Sequence, residues 1–400
     1  MERICPVIVS PTQISIPWDD LAGAAADSNF ANDFTHPLYR YRASISPQLT
    51  RSLILKLTFP GQTVLDPFSG GGTTAIEALA HGRRAICSDI NSLACFVTRA
   101  KAWPLDTYSL KIFQEWSLVA QQSLRAPSQN VAIPLITRGG SSYAPRTHSL
   151  LLRLKASARR INDHSARRLA LLSVLRVGQL CFDCRNNPPS PQILMDTFQD
   201  ITDLTVTKME LYSKICREHP KVSRNTLRIF HSDAAMLPNR LSKGNERVAL
   251  VLTSPPYPGV HILYHRWQVF GRRETDLPYN LIGMKDGNSE SFYTLGPRAE
   301  KENSTYFRNL KNIYSRLKRI IDCDTIVAQV IAFSKPEQQI ESFRLVMDEA
   351  GYEEVVNPDT PNSTITRNVP HRRWYSQLSA TQNSATEYLF IHKVRASKTN

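Results

Sequence analysis

Cysteine is sparse in this chain: seven residues scattered over 400 positions. An odd number without repeating spacing excludes a disulfide framework and points to a reducing compartment. Cys181-x-x-Cys184 is followed by Cys216 and His219 but by no second Cys pair, so no metal site is expected. Long apolar runs are missing as well. No stretch approaches the roughly 20 residues of a membrane-spanning helix. The opening MERICPVIVSPTQ is interrupted by Pro6 and Pro11 and offers no leader-like apolar core. These absences lead us to expect a cytoplasmic protein that meets no membrane. Acidic residues are in deficit, 35 against 49 Lys and Arg, for a net charge of +14. A surplus of this size suits a polyanionic partner. With 42% hydrophobic and 21% charged residues, bulk disorder is excluded too.

What is present is organised around residues 64–90, VLDPFSGGGTTAIEALAHGRRAICSDI. Thr63, Val64 and Leu65 read as a buried parallel strand. Asp66, Pro67 and Phe68 lead it into Ser69-Gly70-Gly71-Gly72, and Thr73 and Thr74 open a helix. Arg83 to Ser88 reads as a second strand with Asp89 at its tip. A strand, glycine turn, helix and strand ending in an acid binds a nucleoside at the carboxyl ends of its strands. The glycines admit close approach of backbone to ligand, and the terminal carboxylate can accept from two ribose hydroxyls. The turn has neither Gly-x-Gly-x-x-Gly nor Gly-Lys-Ser/Thr spacing, which disfavours a dinucleotide or a triphosphate.

Far downstream, Val248 to Tyr257 reads VALVLTSPPY, an apolar strand stopped by Thr-Ser-Pro-Pro-Tyr. DPFSGGGTT followed by TSPPY resembles the paired motifs of the amino-directed DNA methyltransferases, which use S-adenosylmethionine. The Ser-Pro-Pro-Tyr form is similar to that of the N4-cytosine enzymes, whereas N6-adenine enzymes more often carry Asp or Asn in the first place. The resemblance implies an α/β fold of class I methyltransferase type, with a seven-stranded, mostly parallel sheet and flanking helices. It implies a cofactor site of Asp66, Phe68, Gly70, Gly72, Thr73 and Thr74, with Asp89 on the ribose and Ile90 beside it. Asp233 would reach the adenine amino group. Asn91, Ser92 and Leu93 would line the adenosine. Thr50, together with Ser46 and Arg51, would meet the methionine end. The catalytic residues it implies are Ser254, Pro255, Pro256 and Tyr257. Ser254 and the Pro255 carbonyl would accept from the target amine, and consecutive prolines hold that carbonyl rigidly. Tyr257 would stack on a base extracted from the duplex. Only the ring matters in that role, so Tyr257→Phe is expected to keep most activity.

The remainder divides around these motifs. Residues 1–34 read as a loosely ordered arm. Residues 35–104 and 226–395 form the catalytic domain, with strands expected at 63–67, 83–88, 226–231, 248–253, 325–333, 352–356 and 387–394. Residues 105–225 are a largely helical insertion, with helices at 108–124, 149–181 and 192–216. From Lys101 to Asn225, eighteen Lys and Arg face nine Asp and Glu, most of the protein's surplus charge. Arg159, Arg160, Arg167 and Arg168 crowd one segment of it, suited to a DNA backbone. The stretch after Tyr257 to Gly296 reads as a long lid. Its Tyr264, His265, Arg266, Trp267, Arg272 and Arg273 offer stacking planes and phosphate donors together, and His371 to Tyr375 repeats that mixture. The expected activity is methylation of cytosine N4 in double-stranded DNA, within a restriction-modification or epigenetic system of a bacterium or archaeon. The protein would then be nucleoid-associated and partnered with a cognate restriction endonuclease. Adenine N6 is the nearest alternative, an RNA N-methyltransferase a further one, and a silent DNA-binding subunit the alternative outside catalysis.

Overall fold

The strands that form the centre of the molecule are those with the longest apolar runs. In the computed structural model, residues 15–27, 32–41, 44–125, 133–143, 145–219, 226–241, 247–258, 266–285, 294–297, 300, 303–361, 364–370 and 384–396 are described. The strands are β1 Thr63–Asp66, β2 Arg84–Asp89, β3 Leu135–Ile136, β4 Ser142–Tyr143, β5 Leu227–His231, β6 Val248–Thr253, β7 Trp267–Val269, β8 Arg273–Thr275, β9 Ile326–Ala332, β10 Tyr352–Glu354, β11 Ile365–Pro370 and β12 Ser384–Val394. Every residue of β1 and β9 is buried, as strands covered on both faces require.

The main sheet runs β10-β12-β9-β6-β1-β2-β5, with β11 beside β12. The β5, β2, β1, β6 and β9 strands are parallel, while β12 runs against β9. All seven expected strands are present, and β11 is an eighth. It lies between the strands expected at 352–356 and 387–394, where the sequence reading placed no strand. The reason is the length of β12: β10 covers only its far end, Tyr352↔Val394 to Glu354↔His392. The open edge from Leu389 back to Ser384 is paired by Ile365 to Pro370.

The helices are α1 Trp18–Ala26, α2 Pro47–Leu57, α3 Thr73–Ala80, α4 Ser92–Ala102, α5 Thr107–Arg125, α6 Arg146–Arg159, α7 His164–Phe182, α8 Pro191–Arg217, α9 Leu237–Arg240, α10 Leu277–Ile282, α11 Ser304–Leu317 and α12 Pro336–Glu349. Successive strand residues feed opposite layers, as a period of two demands. Val64, Leu250 and Ala328 pack with α2, α3, α4 and the insertion. Leu65, Val251 and Val327 pack with α9, α11 and α12. The result is an α/β fold of class I methyltransferase type, a mostly parallel sheet between two helical layers.

Three sequence expectations change here, and the insertion is joined to the core. The arm contains α1, whose Leu21 and Ala25, four residues apart, are buried; Lys56 on α2 reaches Asp20 at 2.5 Å. The helix expected over 149–181 is two, because Asp163 accepts from Ala166 N at 2.7 Å and starts α7 afresh. The insertion shares its apolar core with the sheet's α4 face: Phe113, Leu172 and Phe198 belong to the same cluster as Val64 and Ala85. Tyr212 on α8 donates to the Ala102 carbonyl at 3.0 Å, tying the two together. Residues 266–285 of the expected lid fold instead into the β7–β8 ribbon and α10, with Trp267, Val269, Leu277 and Tyr279 in that core. Asp276 precedes α10, Pro278 sits in its first turn and Gly283 closes it at φ 73°, a start-and-stop pattern readable in the sequence.

Candidate active site

The parallel strands end along one edge, and the chain reverses its direction of travel through the sheet between β1 and β6. Ligands of open α/β sheets bind at such a reversal. A cavity of about 270 Å³ lies there. Phe68, Gly70, Asp89, Ile90 and Asn91, from the ends of β1 and β2, line one side, and Asp233 follows β5. Ser254, Pro255, Pro256 and Tyr257, directly after β6, face them. The structure therefore brings together motifs nearly 190 residues apart in the sequence.

The glycine turn is shaped partly by its own protein. Gly72 has φ 81°, and a Cβ on it would lie 2.9 Å from Thr98 on α4. A Cβ on Gly71 would lie 2.7 Å from the Tyr41 side chain. Only Gly70 lines the cavity. Its N–H donates to Asp89 Oδ2 at 2.9 Å, and Asn91 N donates to Oδ1 at 2.8 Å. Burial nevertheless pushes the Asp89 carboxyl up to about 6, with Asp66 adding to the rise.

Asp66 lies behind the cavity wall, 2% exposed. It accepts from Thr253 Oγ1 at 2.7 Å and from Phe68 N at 3.1 Å. Burial raises it to about 6 as well. Gly72, Thr73 and Thr74 turn inward at the start of α3 and do not line the cavity. Neither do the residues named for the methionine end. Ser46 caps α2 through Leu49 N. Thr50 is fully buried. The Arg51 guanidinium is occupied by Glu77, at 2.9 and 3.2 Å, and by Asp33 at 3.1 Å. Glu77 is an acid hidden within an apolar helix; its other partners are His36 at 2.7 Å and His81 at 3.4 Å. Leu93 is fully buried, so the apolar surface at the rim is Ile90, 42% exposed.

Asn91 is held on both sides. Its amide donates to Tyr41 Oη at 3.1 Å, and its carbonyl accepts from Tyr279 Oη at 2.8 Å and Leu93 N at 2.9 Å. Tyr41 thereby becomes a cavity wall that sequence reading passed over. Asn309 and Asn312, three apart on α11, are two more lining residues it missed. Their spacing on one helical face was the available signal.

Beyond the cavity, the expected DNA contacts divide. Arg159, Arg160, Arg272 and Arg273 are exposed, and Arg167 and Arg168 are half-buried. Arg266 and Trp267 are 6% and 2% exposed, and Arg266 pairs with Glu274 at 3.1 Å. They are internal residues, since the ribbon they begin packs on α7; neither can stack on a base or hold a phosphate as placed. Tyr264, His265 and the cluster 371–375 lie outside the described residues. Among the described residues no group of His, Cys, Asp and Glu could hold a metal ion, and no helix is long and apolar enough to cross a membrane.

Comparison with known proteins agrees with the geometry. The DNA methylase family profile matches residues 22–98. Type II methyltransferase M.MvaI of Kocuria varians is 35% identical over 82 residues, which is 20% of this chain and 18% of that protein. Type II methyltransferase M.MjaII of Methanocaldococcus jannaschii is 26% identical over 103 residues, 24% of this chain and 19% of its own length. The chain thus spans about a fifth of the length of these curated relatives. Two solved structures overlay broadly and loosely. TrmN from Thermus thermophilus has a TM-score of 0.34 and 12% identity over 90% of this chain and 52% of that one. The rRNA methyltransferase aviRa from Streptomyces viridochromogenes has 0.27 and 11% over 80% and 84%.

Members of the methyltransferase family use S-adenosylmethionine, and the cavity fits its adenosine part. Asp89 and Asp233 present carboxylates, whose oxygens accept more than one hydrogen bond each, and the bare Ile90 surface offers a flat ring its apolar cover. The matched segment 22–98 carries the Gly70, Asp89 and Ile90 side of this cavity, and over that segment the chain is similar to the DNA methylases.

Proposed function

We propose that the protein methylates the exocyclic N4 of cytosine in double-stranded DNA. The observation that carries this reading is the placement of Ser254-Pro255-Pro256-Tyr257 across one cavity from Gly70, Asp89 and Ile90. Asp89 would hold the ribose, Ile90 and Asp233 the adenine. S-adenosylmethionine, when bound, supplies an electrophilic methyl group. An aromatic amine is a weak nucleophile because its lone pair is shared with the ring. Ser254 Oγ and the Pro255 carbonyl would accept from its N–H groups and localise that pair, and the proton that the nitrogen sheds on gaining the methyl would pass to solvent. Tyr257 would wall the base on one side. Positioning and electrostatics then carry the transfer, without a covalent enzyme intermediate.

In this reading DNA lies along the basic insertion. Lys155 on α6 donates to Asn280 on α10 at 2.8 Å, and the Arg159 guanidinium stands against Gly283 where α10 ends. Burial, with Arg99 and Arg167 nearby, lowers the Arg168 guanidinium below its ordinary value, a crowding of cations that an anion would relieve. Arg160, Arg272 and Arg273 extend the surface. A cognate restriction endonuclease, a cytoplasmic, nucleoid-associated location, and a division into a catalytic part (35–104 and 226–395) and a DNA-gripping insertion (105–225) belong to the same proposal. Adenine N6 is the second reading, favoured by the family's breadth. Incubation with labelled S-adenosylmethionine and duplex DNA, followed by nucleoside mass spectrometry, tests both. N4-methylcytosine supports the proposal, N6-methyladenine replaces it with the second reading, and label found only in RNA overturns both.

A further inference from the structure

Beyond the Pro-Pro turn itself, the Tyr257 hydroxyl points away from solvent, on a side chain only 6% exposed. It donates to Glu387 Oε1 at 2.8 Å. Glu387 stands near the start of β12, 130 residues away, and is 1% exposed. Its other oxygen, Oε2, receives Arg367 Nη1 of β11 at 2.9 Å, the cross-strand partner at that register. The Ser254 hydroxyl lies 3.3 Å from Tyr257 Oη. A carboxylate accepts and never donates, so the one phenolic hydrogen is committed to Glu387. Tyr257 Oη is then left with lone pairs, and the Ser254–Tyr257 contact can only be serine donating. With its own hydrogen directed at Tyr257, Ser254 keeps both lone pairs for the cavity.

We infer that Glu387 is a positioning residue which, through Tyr257, sets Ser254 as a pure acceptor toward the amine to be methylated. This rests on the amine-methylation reading above. Without Glu387 the tyrosine could turn its hydrogen to Ser254, and the serine its hydrogen to the amine, a donor facing a donor. A burial cost also argues for the arrangement. An acid this deep, paired with a part-buried arginine, is a weak contributor to stability compared with apolar residues of that volume, whereas a fixed hydrogen-bond polarity at the transferring end needs an acceptor-only terminus. Tyr257→Phe, harmless if only the ring matters, becomes a loss under this inference.

The test is a double-mutant cycle in the full chain. Glu387→Gln and Tyr257→Phe should each slow single-turnover methylation on the order of tenfold, the worth of one such hydrogen bond, with cofactor affinity unchanged. Together they should slow it no more than either alone, since both act through one hydrogen bond. Multiplying effects would overturn the relay and leave Glu387 a structural acid. The ¹³Cζ resonance of Tyr257 reads the phenol's hydrogen bond without turnover and should move in Glu387→Gln; a fixed resonance overturns the relay even in an active enzyme. A moving resonance in a parent protein that methylates neither DNA nor RNA upholds the hydrogen-bond chain and sinks the amine reading instead. Should Glu387→Gln fail to fold, the cycle of Tyr257→Phe with Ser254→Ala asks the same question, and additivity there is equally fatal.

Discussion

Thr253 donates its hydroxyl to Asp66 Oδ1 at 2.7 Å, both residues buried at the tips of neighbouring parallel strands. Each is the residue that enters a motif: Asp66 begins the glycine turn and Thr253 precedes Ser254. The bond therefore fixes the two halves of the cavity to one another. Thr253→Val keeps the shape and removes the donor, leaving a buried carboxyl short of one partner. The loss should be about 1–3 kcal/mol of stability, read from urea midpoints. An unchanged midpoint would deny the bond its structural role.

Asp66 also gives the fold a pH dependence of unusual sign. Burial raises its carboxyl to about 6 in the folded chain, against about 3.9 when unfolded. Between those values the folded protein holds a proton that the unfolded chain has released. The contribution of Asp66 to stability should therefore fall as pH rises from about 4 to about 6 and level off above. Asp89, raised to about 6 by its own burial, adds the same sign. Glu77 runs opposite: burial alone would raise it, but hydrogen bonds from His36 and Arg51, with His81 beside them, bring it to about 2. Its contribution is present above about 4.5 and lost as pH falls toward 2. Buried His392, lowered to about 3 by its burial, runs opposite to Asp66 in the same window. The readout is therefore the difference between parent and Asp66→Asn in denaturant titrations between pH 4 and 7, which should shift against the parent as pH rises from about 4 to about 6.

For the cofactor, Asp89→Asn is a cleaner probe than Asp89→Ala. An alanine would also free Gly70 N and Asn91 N and so disturb the turn. The asparagine keeps one acceptor but loses the charge, and S-adenosylmethionine affinity should weaken by about 1.5–3 kcal/mol, with DNA affinity nearly intact. Titration calorimetry giving equal affinities for parent and variant would remove Asp89 from the site.

The basic surface separates into arginines that meet solvent and residues that only looked as though they did. Replacing Arg159, Arg160, Arg167 and Arg168 by Glu should lower affinity for every DNA sequence and flatten its salt dependence. Trp267→Ala should act differently: a 2% exposed indole leaves a cavity, costing about 3–5 kcal/mol of stability. A Trp267→Ala protein as stable as its parent, yet weak on DNA, would return that ring to the interface.

The sheet was legible because its central strands are unbroken apolar runs, and the cavity because TSPPY and DPFSGGGTT each stop such a run abruptly. What was not legible is tertiary. Nothing local marks Glu77 as a buried acid, since its partners His36 and Arg51 are 41 and 26 residues away. Arg266 and Trp267 carry the composition of a nucleic-acid surface, and only the packing of their ribbon on α7 shows them internal. Gly71 and Gly72 look like room for a ligand but make room for Tyr41 and Thr98. The eighth strand depended on how much of β12 was left uncovered by β10, which no pattern within 365–370 encodes.

Ser254 bears most directly on the reaction. Ser254→Ala removes an acceptor while the Pro255 carbonyl stays in place, held by two consecutive prolines. Ser254 is half-buried and makes its hydrogen bond to Tyr257, so its loss leaves the opposite wall of Gly70, Asp89 and Ile90, proposed to hold the cofactor, untouched. S-adenosylmethionine affinity should remain at the parent value. The single-turnover rate at saturating cofactor and DNA should fall by about 10²–10³, the cost seen when one preorganised polar contact to a reacting group is deleted. Tyr257→Ala should add a binding defect, because a stacking face is worth about 1–3 kcal/mol per base. A Ser254→Ala protein that methylates DNA at the parent rate would take the amine acceptor away from this turn and, with it, the cytosine-N4 proposal.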